Sequence, residues 1–417
     1  MTKRLKKFEA LAPAKTKQSV AVSDHSTTQW PVVAAAILMA VIAAGHVGKL
    51  PPALPSIRGD LGLDLVSAGW LAATFSTTGM LSALVFGVLA SRFNPWRTAV
   101  AGLALLTVSG GLGSLAVSAD QLLLSRFVEG LGFLAVVVSA PSLIVSATNE
   151  RDRRLALGYF SAYMPVGVAL MIFVAPAGLA FNGWRSLWIA VAIVAAATIA
   201  VTVLVYATRR HLHVSHRRVA LRSIVDAVAQ PAPWLVAGCF TLYGSQLYAV
   251  ITWMPTFVSE ERGVAAGTAS AATALIVIIN GSCSFIGGWL LHRGVAAAKI
   301  ILAAGAVMAT FGWTAFQPGV PDLWRYICVA ILCGAGGFVA AASFVSAPMF
   351  AKEPSQTGIL NSLIIQASNL AQFVGPAVIA IVISYTGTWD SAAWVFLVAN
   401  IAMMALALTL KWKSPSN

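Results

Sequence analysis

The stretch Gly87-Val-Leu-Ala-Ser-Arg92 recurs 201 residues later as Gly288-Trp-Leu-Leu-His-Arg293, in a chain of 417 residues. Each copy closes a long apolar run. Further pairs recur in the same order at offsets of 200 to 205 residues: Leu54-Pro55 with Met254-Pro255, Gly62 with Gly263, Asp120 with Asp322, and Trp184 with Trp389. The offset rises slowly, as small loop insertions would produce. The pattern therefore predicts two homologous halves.

The composition places both halves in a membrane. Hydrophobic residues make up 59% of the chain and charged residues 10%, whereas soluble domains carry about 25% charged residues. A bilayer-spanning helix needs about 20 apolar residues. Twelve stretches meet this need: 31–56, 66–90, 97–118, 121–146, 155–180, 186–207, 233–256, 268–291, 299–316, 325–347, 358–384 and 391–410. We predict an all-α integral membrane protein with twelve transmembrane helices in two six-helix bundles.

The polar segments divide this chain into five parts. We predict a disordered basic tail, a first bundle, a basic linker, a second bundle and a short tail, at residues 1–29, 30–207, 208–232, 233–411 and 412–417. Of 27 Lys and Arg residues, 21 fall in the tails and on one side of the predicted spans. Because cytoplasmic loops are rich in Lys and Arg, both termini are predicted to be cytoplasmic.

The basic segments also bear on targeting and partners. The first 29 residues have no apolar core of the kind that a signal peptide needs, so we expect a multi-pass protein of the cell membrane, the inner membrane in bacteria. The net charge of +13 follows from the one-sided distribution and requires no nucleic-acid partner. His211, His213 and His216 in the linker raise the alternative of a metal site, but flanking Arg residues would repel a cation. A linker lying against anionic lipid is the preferred interpretation, and no metal or cofactor is predicted.

The cysteines suggest no redox chemistry. All four lie inside predicted spans, where Cys acts as a small buried apolar residue, and we expect no disulfide. They are Cys239, Cys283, Cys328 and Cys333.

The motifs resemble those of a known family. Gly87-x-Leu-x-Ser-Arg92 resembles the signature loop of the major facilitator superfamily, and Leu122-x-x-x-Arg126-x-x-Glu129-Gly130-x-Gly132 is similar to its second motif. Gly183-Trp-Arg185 is a further shared feature. The resemblance covers residues from about 30 to 411. It implies the two-bundle fold, secondary transport by alternating access, and a monomer. Some features are similar to the cyanate and small-anion branch.

Two motifs depart from the family pattern. The family loop usually carries Asp where this chain has Ser91, and the repeat has His292. In the family that Asp helps to hold the inward-closed arrangement, so we expect a weaker conformational lock here. The loop residues assigned to this conformational motif are Gly87, Ser91, Arg92, Gly288, His292 and Arg293. The span-five antiporter motif is reduced to Met164-Pro165-Val-Gly167 and gives no support to export.

Four ionisable residues stand out inside the spans. Of 14 acidic residues only Glu129 lies well inside a span, of 27 basic residues only Lys49 and Arg126 do, and His46 lies near Lys49. A charge in hydrocarbon costs about 2.5–3.5 kcal/mol and normally faces a cavity. Spacings of three place each pair on one helix face. In the superfamily these two spans line the central cavity, so the resemblance implies two facing layers.

The charges of these four residues suggest roles. Two cations and one carboxylate leave the site net positive, which favours an anionic substrate gripped by Lys49 and Arg126. Glu129 and His46 are the predicted proton-coupling groups, and His46 is also a substrate-binding candidate. The alternatives are that Arg126 has a structural role, that Glu129 only neutralises the charge of a neighbouring cation, and that His46 is a buried core residue whose hydrogen bonds are satisfied.

The second half offers neutral groups instead of charges. The substrate-binding candidates there are Tyr243, Gln246, Trp253, Asn361 and Asn369. Gln246 is the repeat partner of His46, 200 residues later. The alternative is that these groups only bond helices together, which is their commoner use in membranes.

The combined hypothesis is a proton-coupled secondary transporter of a small organic or inorganic anion. One alternative is a proton-driven exporter of drugs or metabolites, although a net-positive cavity counts against cationic drugs. Another is a membrane enzyme or receptor. The spans contain no cluster of nucleophile, base or metal ligands, the tails are short, and no phosphate-binding Gly-Lys-Ser/Thr loop occurs. We therefore predict no enzymatic activity, with a small solute, protons and lipid as partners.

Overall fold

The computed structural model describes residues 27–90, 94–208, 221–353 and 356–410. Within these ranges the chain is helical and has no strand. The α-helices are α1 Trp30–Gly48, α2 Leu50–Leu61, α3 Leu65–Ala90, α4 Pro95–Ser114, α5 Ala119–Ala147, α6 Glu150–Ser161, α7 Tyr163–Ala207, α8 Leu221–Val228, α9 Pro231–Thr256, α10 Ala266–His292, α11 Ala297–Ala315, α12 Asp322–Ser346, α13 Gln356–Thr386 and α14 Ala392–Thr409.

The helices are long and apolar enough for a multi-pass membrane protein. Nine helical stretches of the described residues could each cross a bilayer, by length and hydropathy. One of them runs from 150 to 207 and contains α6 and α7. The helical path of α7 breaks at Asn182 and Gly183, between predicted spans five and six. Helices α3 and α4 coincide with predicted spans two and three. The number of spans in the membrane remains a prediction.

A break inside α7 explains why one helix covers two predicted spans. Gly183 has φ +62° and ψ −154°, a region that is open essentially only to glycine. The chain can therefore turn back here without a longer loop. Trp184 and Arg185 then donate hydrogen bonds to one oxygen of Asp60, at 3.1 Å and 2.5 Å. The Gly183-Trp-Arg185 motif thus ties the turn to the end of α2.

Close helix contacts build the first half. Helix α5 packs on α1, α3 and α4, and α7 packs on α1 and α4. A Cβ on Gly102 of α4 would lie 2.7 Å from the carbonyl oxygen of Gly132 on α5, and one on Gly132 would lie 2.6 Å from that of Gly102. Small residues allow such backbone approach between membrane helices. In the second half α9 to α14 pack in the same manner.

Among the described residues, the main contacts between the halves are made by α3 with α13, α7 with α10, and α2 with α9. Along the first pair the Ser76 hydroxyl donates to Gln372 Oε1 at 2.8 Å, and Gln366 Nε2 donates to the Met80 carbonyl at 2.9 Å. Gly79 of α3 leaves the space that the Asn369 side chain fills. Polar bonds and a small residue therefore hold the long interface between the halves.

The two ends of the molecule are packed differently. We name the end at which α1 begins and α14 finishes the proximal end, and the opposite end the distal end. At the distal end, buried side chains of both halves form one cluster that includes Leu54, Trp184, Trp253, Phe257 and Phe396. A second buried cluster near the proximal end contains residues of the second half alone. The distal end is therefore closed by packing across the halves.

An ion pair crosses the halves at the distal end. Arg58 Nη1 donates to both carboxylate oxygens of Glu260, at 2.8 Å and 2.9 Å. Arg58 lies on α2, and Glu260 lies in the short π-helical turn after α9. The pair therefore links the distal end of the first predicted span of one half to the distal end of the first predicted span of the other.

The structure leaves parts of the predicted domain division outside its described residues. Residues 1–26, 209–220 and 411–417 are not described, and they include most of the predicted tails and the three linker histidines. The described part of the predicted linker contains the short helix α8. The domain boundaries stay predictions.

Candidate functional site

Lys49 lies at a junction between two helices. Helix α1 ends at Gly48 and α2 begins at Leu50, with two prolines in the first turn of α2. Proline supplies no backbone N–H, so the hydrogen-bond ladder of α1 cannot continue through them. The His46 carbonyl accepts a hydrogen bond from Arg126 Nη1 at 2.8 Å. The Lys49 side chain and this carbonyl of His46 therefore lie together at the junction.

Glu129 is the centre of the site. Lys49 Nζ donates to Oε1 of Glu129 at 2.5 Å, and Arg126 Nη1 donates to Oε2 at 2.5 Å. His46 Nδ1 lies 3.4 Å from Oε1 and 3.4 Å from Lys49 Nζ. One carboxylate therefore serves two cations and neighbours an imidazole. The structure brings together all four residues that the sequence singled out in the first half.

Aromatic rings cover both cations. Lys49 Nζ lies 4.4 Å from the ring centroid of Trp188, and Arg126 Cζ lies 4.5 Å from that of Phe75. A cation over an aromatic face is stabilised by the ring quadrupole, more so away from water. Gly110 of α4 completes the wall, because a Cβ there would lie 3.4 Å from Glu129 Oε1. The site is enclosed by α1, α3, α4, α5 and α7.

The burial of this cluster differs from the expected cavity lining. The side chains of His46, Lys49 and Glu129 are 0% exposed and that of Arg126 is 1% exposed. The sequence implied two layers facing a cavity between the halves. Instead His46, Lys49 and Arg126 surround the Glu129 carboxylate inside the first half, because both cations reach the same acid. His46 Nε2, Arg126 Nε and Trp188 Nε1 are buried without a hydrogen-bond partner among the described residues.

The second-half candidates lie in separate places. Gln246 and Asn400 form a buried pair of amides, with hydrogen bonds of 2.8 Å and 3.1 Å in opposite directions. Asn280 Nδ2 donates to the Tyr243 hydroxyl at 3.1 Å. Trp253 Nε1 donates to the Pro376 carbonyl at 3.0 Å within the distal cluster. Each of these candidates has a helix-bonding contact.

The two asparagines of α13 have different surroundings. Asn369 Nδ2 donates to the Ile365 carbonyl of its own helix at 2.8 Å, and its side chain packs against Gly79 of α3. Asn361 Oδ1 is buried and accepts no hydrogen bond from the described residues. Asn369 thus lies at the interface between the halves.

The conformational-motif residues are only partly described. Gly87 lies in α3, and Gly288 and His292 lie in α10. Arg293 follows α10, and its Cζ lies 4.7 Å from the Trp289 ring centroid. Ser91 and Arg92 lie outside the described residues.

Sequence reasoning missed three residues that surround the cluster, namely Phe75, Gly110 and Trp188. Trp188 carried a usable signal, because it lies four residues after Trp184 and so on the same helix face. The two rings meet at 5.5 Å and 88°. Phe75 and Gly110 lie in apolar stretches where such residues are common, and no spacing distinguishes them.

Comparison with known sequences now identifies the family. Residues 32–376 match the sequence model of the Major Facilitator Superfamily. The chain belongs to this superfamily. The predicted all-α membrane fold of this superfamily and the resemblance drawn from the motifs are confirmed, and the count of twelve transmembrane helices stays a prediction. The similarity to the cyanate and small-anion branch stays a prediction.

Individual members of the superfamily are similar over different lengths. The probable nitrate/nitrite antiporter NarK1 of Thermus thermophilus is 25% identical over 389 residues, covering 85% of each chain. The probable 4-methylmuconolactone transporter of Cupriavidus pinatubonensis is 26% identical over 249 residues, covering 56% of this chain and 55% of that protein. The chain thus matches only about half the length of the latter relative. Shorter matches include a multidrug export protein of Haemophilus influenzae and a multidrug resistance protein of Bacillus subtilis.

A solved structure supports the same fold. A bacterial homologue of the human lysosomal transporter Spinster, in an inward-facing and unoccupied conformation, matches with a TM-score of 0.74. It is 16% identical, and the match covers 91% of this chain and 94% of that one. At this identity the likeness concerns the fold alone. These named relatives are transporters and not enzymes.

Proposed function

We propose that the protein is a secondary transporter that moves a small anion together with a proton by alternating access. The observation that carries the proposal is the Glu129 carboxylate, shared by Lys49 and Arg126 in a buried, net-positive cluster. Nitrate and 4-methylmuconolactone appear in the names of relatives, which supports small anions and organic acids as substrate classes to test.

Competition for the two cations provides a coupling mechanism. While Glu129 is ionised, its two oxygens occupy Lys49 and Arg126. Protonation removes the negative charge and leaves two cations without a counter-ion in a buried site, which is strongly unfavourable. An entering anion restores the balance, so proton and anion favour each other's binding. By linkage this reciprocity is required thermodynamically.

Access to the cluster requires movement. The four side chains are buried inside the first half, so in the proposed cycle the neighbouring helices separate to admit the anion. The distal cluster closes one end of the molecule in this conformation. With both termini in the cytoplasm, as the distribution of Lys and Arg supports, that closed end faces outward from the cell or toward the periplasm. We place the protein in the cell membrane, the inner membrane in bacteria, as a monomer.

The direct test is Glu129→Gln in proteoliposomes with an imposed pH gradient. We expect gradient-driven accumulation of a labelled anion, such as nitrate or 4-hydroxybenzoate, to disappear while exchange of that anion across the membrane persists. Persistent exchange shows that the variant is folded, which matters because breaking a buried ion pair costs about 3–5 kcal/mol.

The matched control is Asp60→Asn. Asp60 is an acid of the same half that pairs with Arg185 at the distal end, away from the cluster. This variant should retain gradient-driven accumulation. Accumulation by Glu129→Gln at the wild-type level would remove Glu129 from the coupling mechanism.

Export is the second candidate, because a multidrug export protein and a multidrug resistance protein are among the shorter matches. The same liposomes distinguish drug export from anion transport. A tetraphenylphosphonium gradient built by the wild type, with no anion transported, would favour proton-driven export of lipophilic cations.

A further inference from the structure

A groove runs along the outer face of the second half, away from the contact between α7 and α10. It has a volume of about 870 Å³ and lies between α10, α11 and α12. Its wall is apolar and includes Ile279, Leu290, Ala303, Val307 and Phe338. Small residues such as Gly334 and Ala335 make it concave. From Ile279 to Leu290 it extends ~16 Å at 1.5 Å per residue.

One end of the groove is cationic. Lys299 lines the groove near the start of α11, at the proximal end, and is exposed. Arg293 and His292 are exposed in the same connection between α10 and α11. The sequence from Gly263 to Pro321 contains no acidic residue. An apolar channel along a membrane helix therefore ends at an exposed lysine, and the connection between α10 and α11 adds Arg293 and no acidic residue.

The groove and the lysine at its end are complementary to a phospholipid in shape and charge. A hydrocarbon chain lies parallel to the membrane helices, and the phosphate lies at the end of the span, where Lys299 is placed. Basic sites between transmembrane helices favour anionic headgroups, at a level that corresponds to about fivefold in affinity for each Lys or Arg. A neutral detergent or an uncharged lipid would occupy the apolar groove but would form no ion pair with Lys299.

We propose that the groove is a binding site for an anionic phospholipid, with an acyl chain between α10, α11 and α12 and the phosphate on Lys299. The site is separate from the Glu129 cluster, which lies in the other half. It depends on the position of the protein in a membrane and not on what the protein transports.

The test uses the full chain purified in mild detergent, with added dioleoylphosphatidylglycerol or dioleoylphosphatidylcholine. Native mass spectrometry counts the lipids retained, and thermal unfolding measures stabilisation. We expect the wild type to retain phosphatidylglycerol in preference to phosphatidylcholine. Lys299→Ala should weaken phosphatidylglycerol binding about fivefold and weaken binding of the zwitterionic phosphatidylcholine less, so that the preference for phosphatidylglycerol is reduced.

Two further variants keep the proposal falsifiable. Lys352→Ala removes an exposed lysine outside the groove and should keep the wild-type preference. Ala303→Phe fills the groove from an exposed position, so folding is preserved, and it should reduce retention of both lipids. Equal phosphatidylglycerol binding by wild type and Lys299→Ala would overturn the proposal. So would unchanged retention in Ala303→Phe, or a dimer of the chain that this variant dissociates.

Discussion

At the scale of single residues, the unusual feature is an acid shared by two cations. Lys49 and Arg126 each hold one oxygen of Glu129, so neither cation has a carboxylate of its own. A buried ion pair usually contributes little net stability compared with apolar packing, whereas loss of one partner is costly. The cluster is therefore better explained by a function in binding than by stabilisation of the fold.

Lys49 offers the sharpest test of anion binding. Lys49→Met keeps an unbranched side chain of similar length but loses the ammonium that lies over the Trp188 ring. We expect anions that stabilise the wild type against thermal unfolding to lose this effect, because one of the two cations is gone. A ligand at 100 times its dissociation constant stabilises by about 2.7 kcal/mol, which is readily measured.

The measurement is a thermal-shift panel of nitrate, benzoate, glucose and tetraphenylphosphonium. Lys352→Ala serves as the control for total charge and should behave as the wild type. Stabilisation by an anion that is equal in Lys49→Met and the wild type would assign Lys49 a structural role.

Sequence alone located the charges of this site but not its enclosure. Lys49, Arg126 and Glu129 are conspicuous because charges inside apolar spans are costly. Their position inside the first half depends on how α1 and α5 are rotated about their axes. That rotation is set by close contacts such as the one between Gly102 and Gly132. Hydropathy does not predict the rotation, because both faces of these helices are apolar.

At the scale of helices, the two repeats use the same position differently. His46 of α1 lies beside a charged cluster, whereas its repeat partner Gln246 of α9 forms an amide pair with Asn400 of α14. By the same offsets Lys49 corresponds to Ala249, and Arg126 to Cys328. The second half therefore ties its first helix to its last one by neutral hydrogen bonds, whereas the ionic bonds of the first half tie the end of α1 to α5.

The amide pair gives a prediction for helix packing. Gln246→Leu or Asn400→Leu alone leaves one buried amide without its partner, at a cost of about 1–3 kcal/mol. The double variant removes both amides, so it should be less destabilised than the sum of the single changes. A double-mutant cycle measured by thermal unfolding in detergent checks this. Additive effects would show that the two amides are not coupled.

Helix ends show what hydropathy predicts well and where it errs. Most predicted spans begin two or three residues after the observed helix, as at 121 against Ala119 and 325 against Asp322. In α5 and α12 the first turn carries an acidic residue, Asp120 and Asp322 respectively, which lowers the local hydropathy although the residue is helical. Acidic residues are favourable there because they oppose the helix dipole.

At the scale of the whole molecule, the distal end is both packed and ion-paired across the halves. The Arg58–Glu260 pair is partly exposed, with side chains 22% and 45% accessible. Exposed pairs contribute about 0.2–1 kcal/mol. Arg58→Ala should therefore leave thermal stability nearly unchanged but shift the balance between closed and open distal ends by about 1.5- to 5-fold.

A cysteine introduced at Leu54, which is 0% exposed in the distal cluster, reports this shift through its rate of reaction with a water-soluble maleimide. We expect faster labelling in Arg58→Ala. The matched control is Arg262→Ala, because Arg262 pairs with Asp322 within the second half. Equal acceleration in both variants would mean that the cross-half pair has no special role in closure.

The distal cluster has one more consequence. It contains Trp184, Trp188 and Trp253, all at most 3% exposed. Indole emission moves to longer wavelength when water reaches the ring. Opening of the distal end during the proposed cycle would wet this group of rings, so the protein carries an intrinsic fluorescent reporter of its own conformation, and substrate-driven opening can be followed in real time without any attached dye.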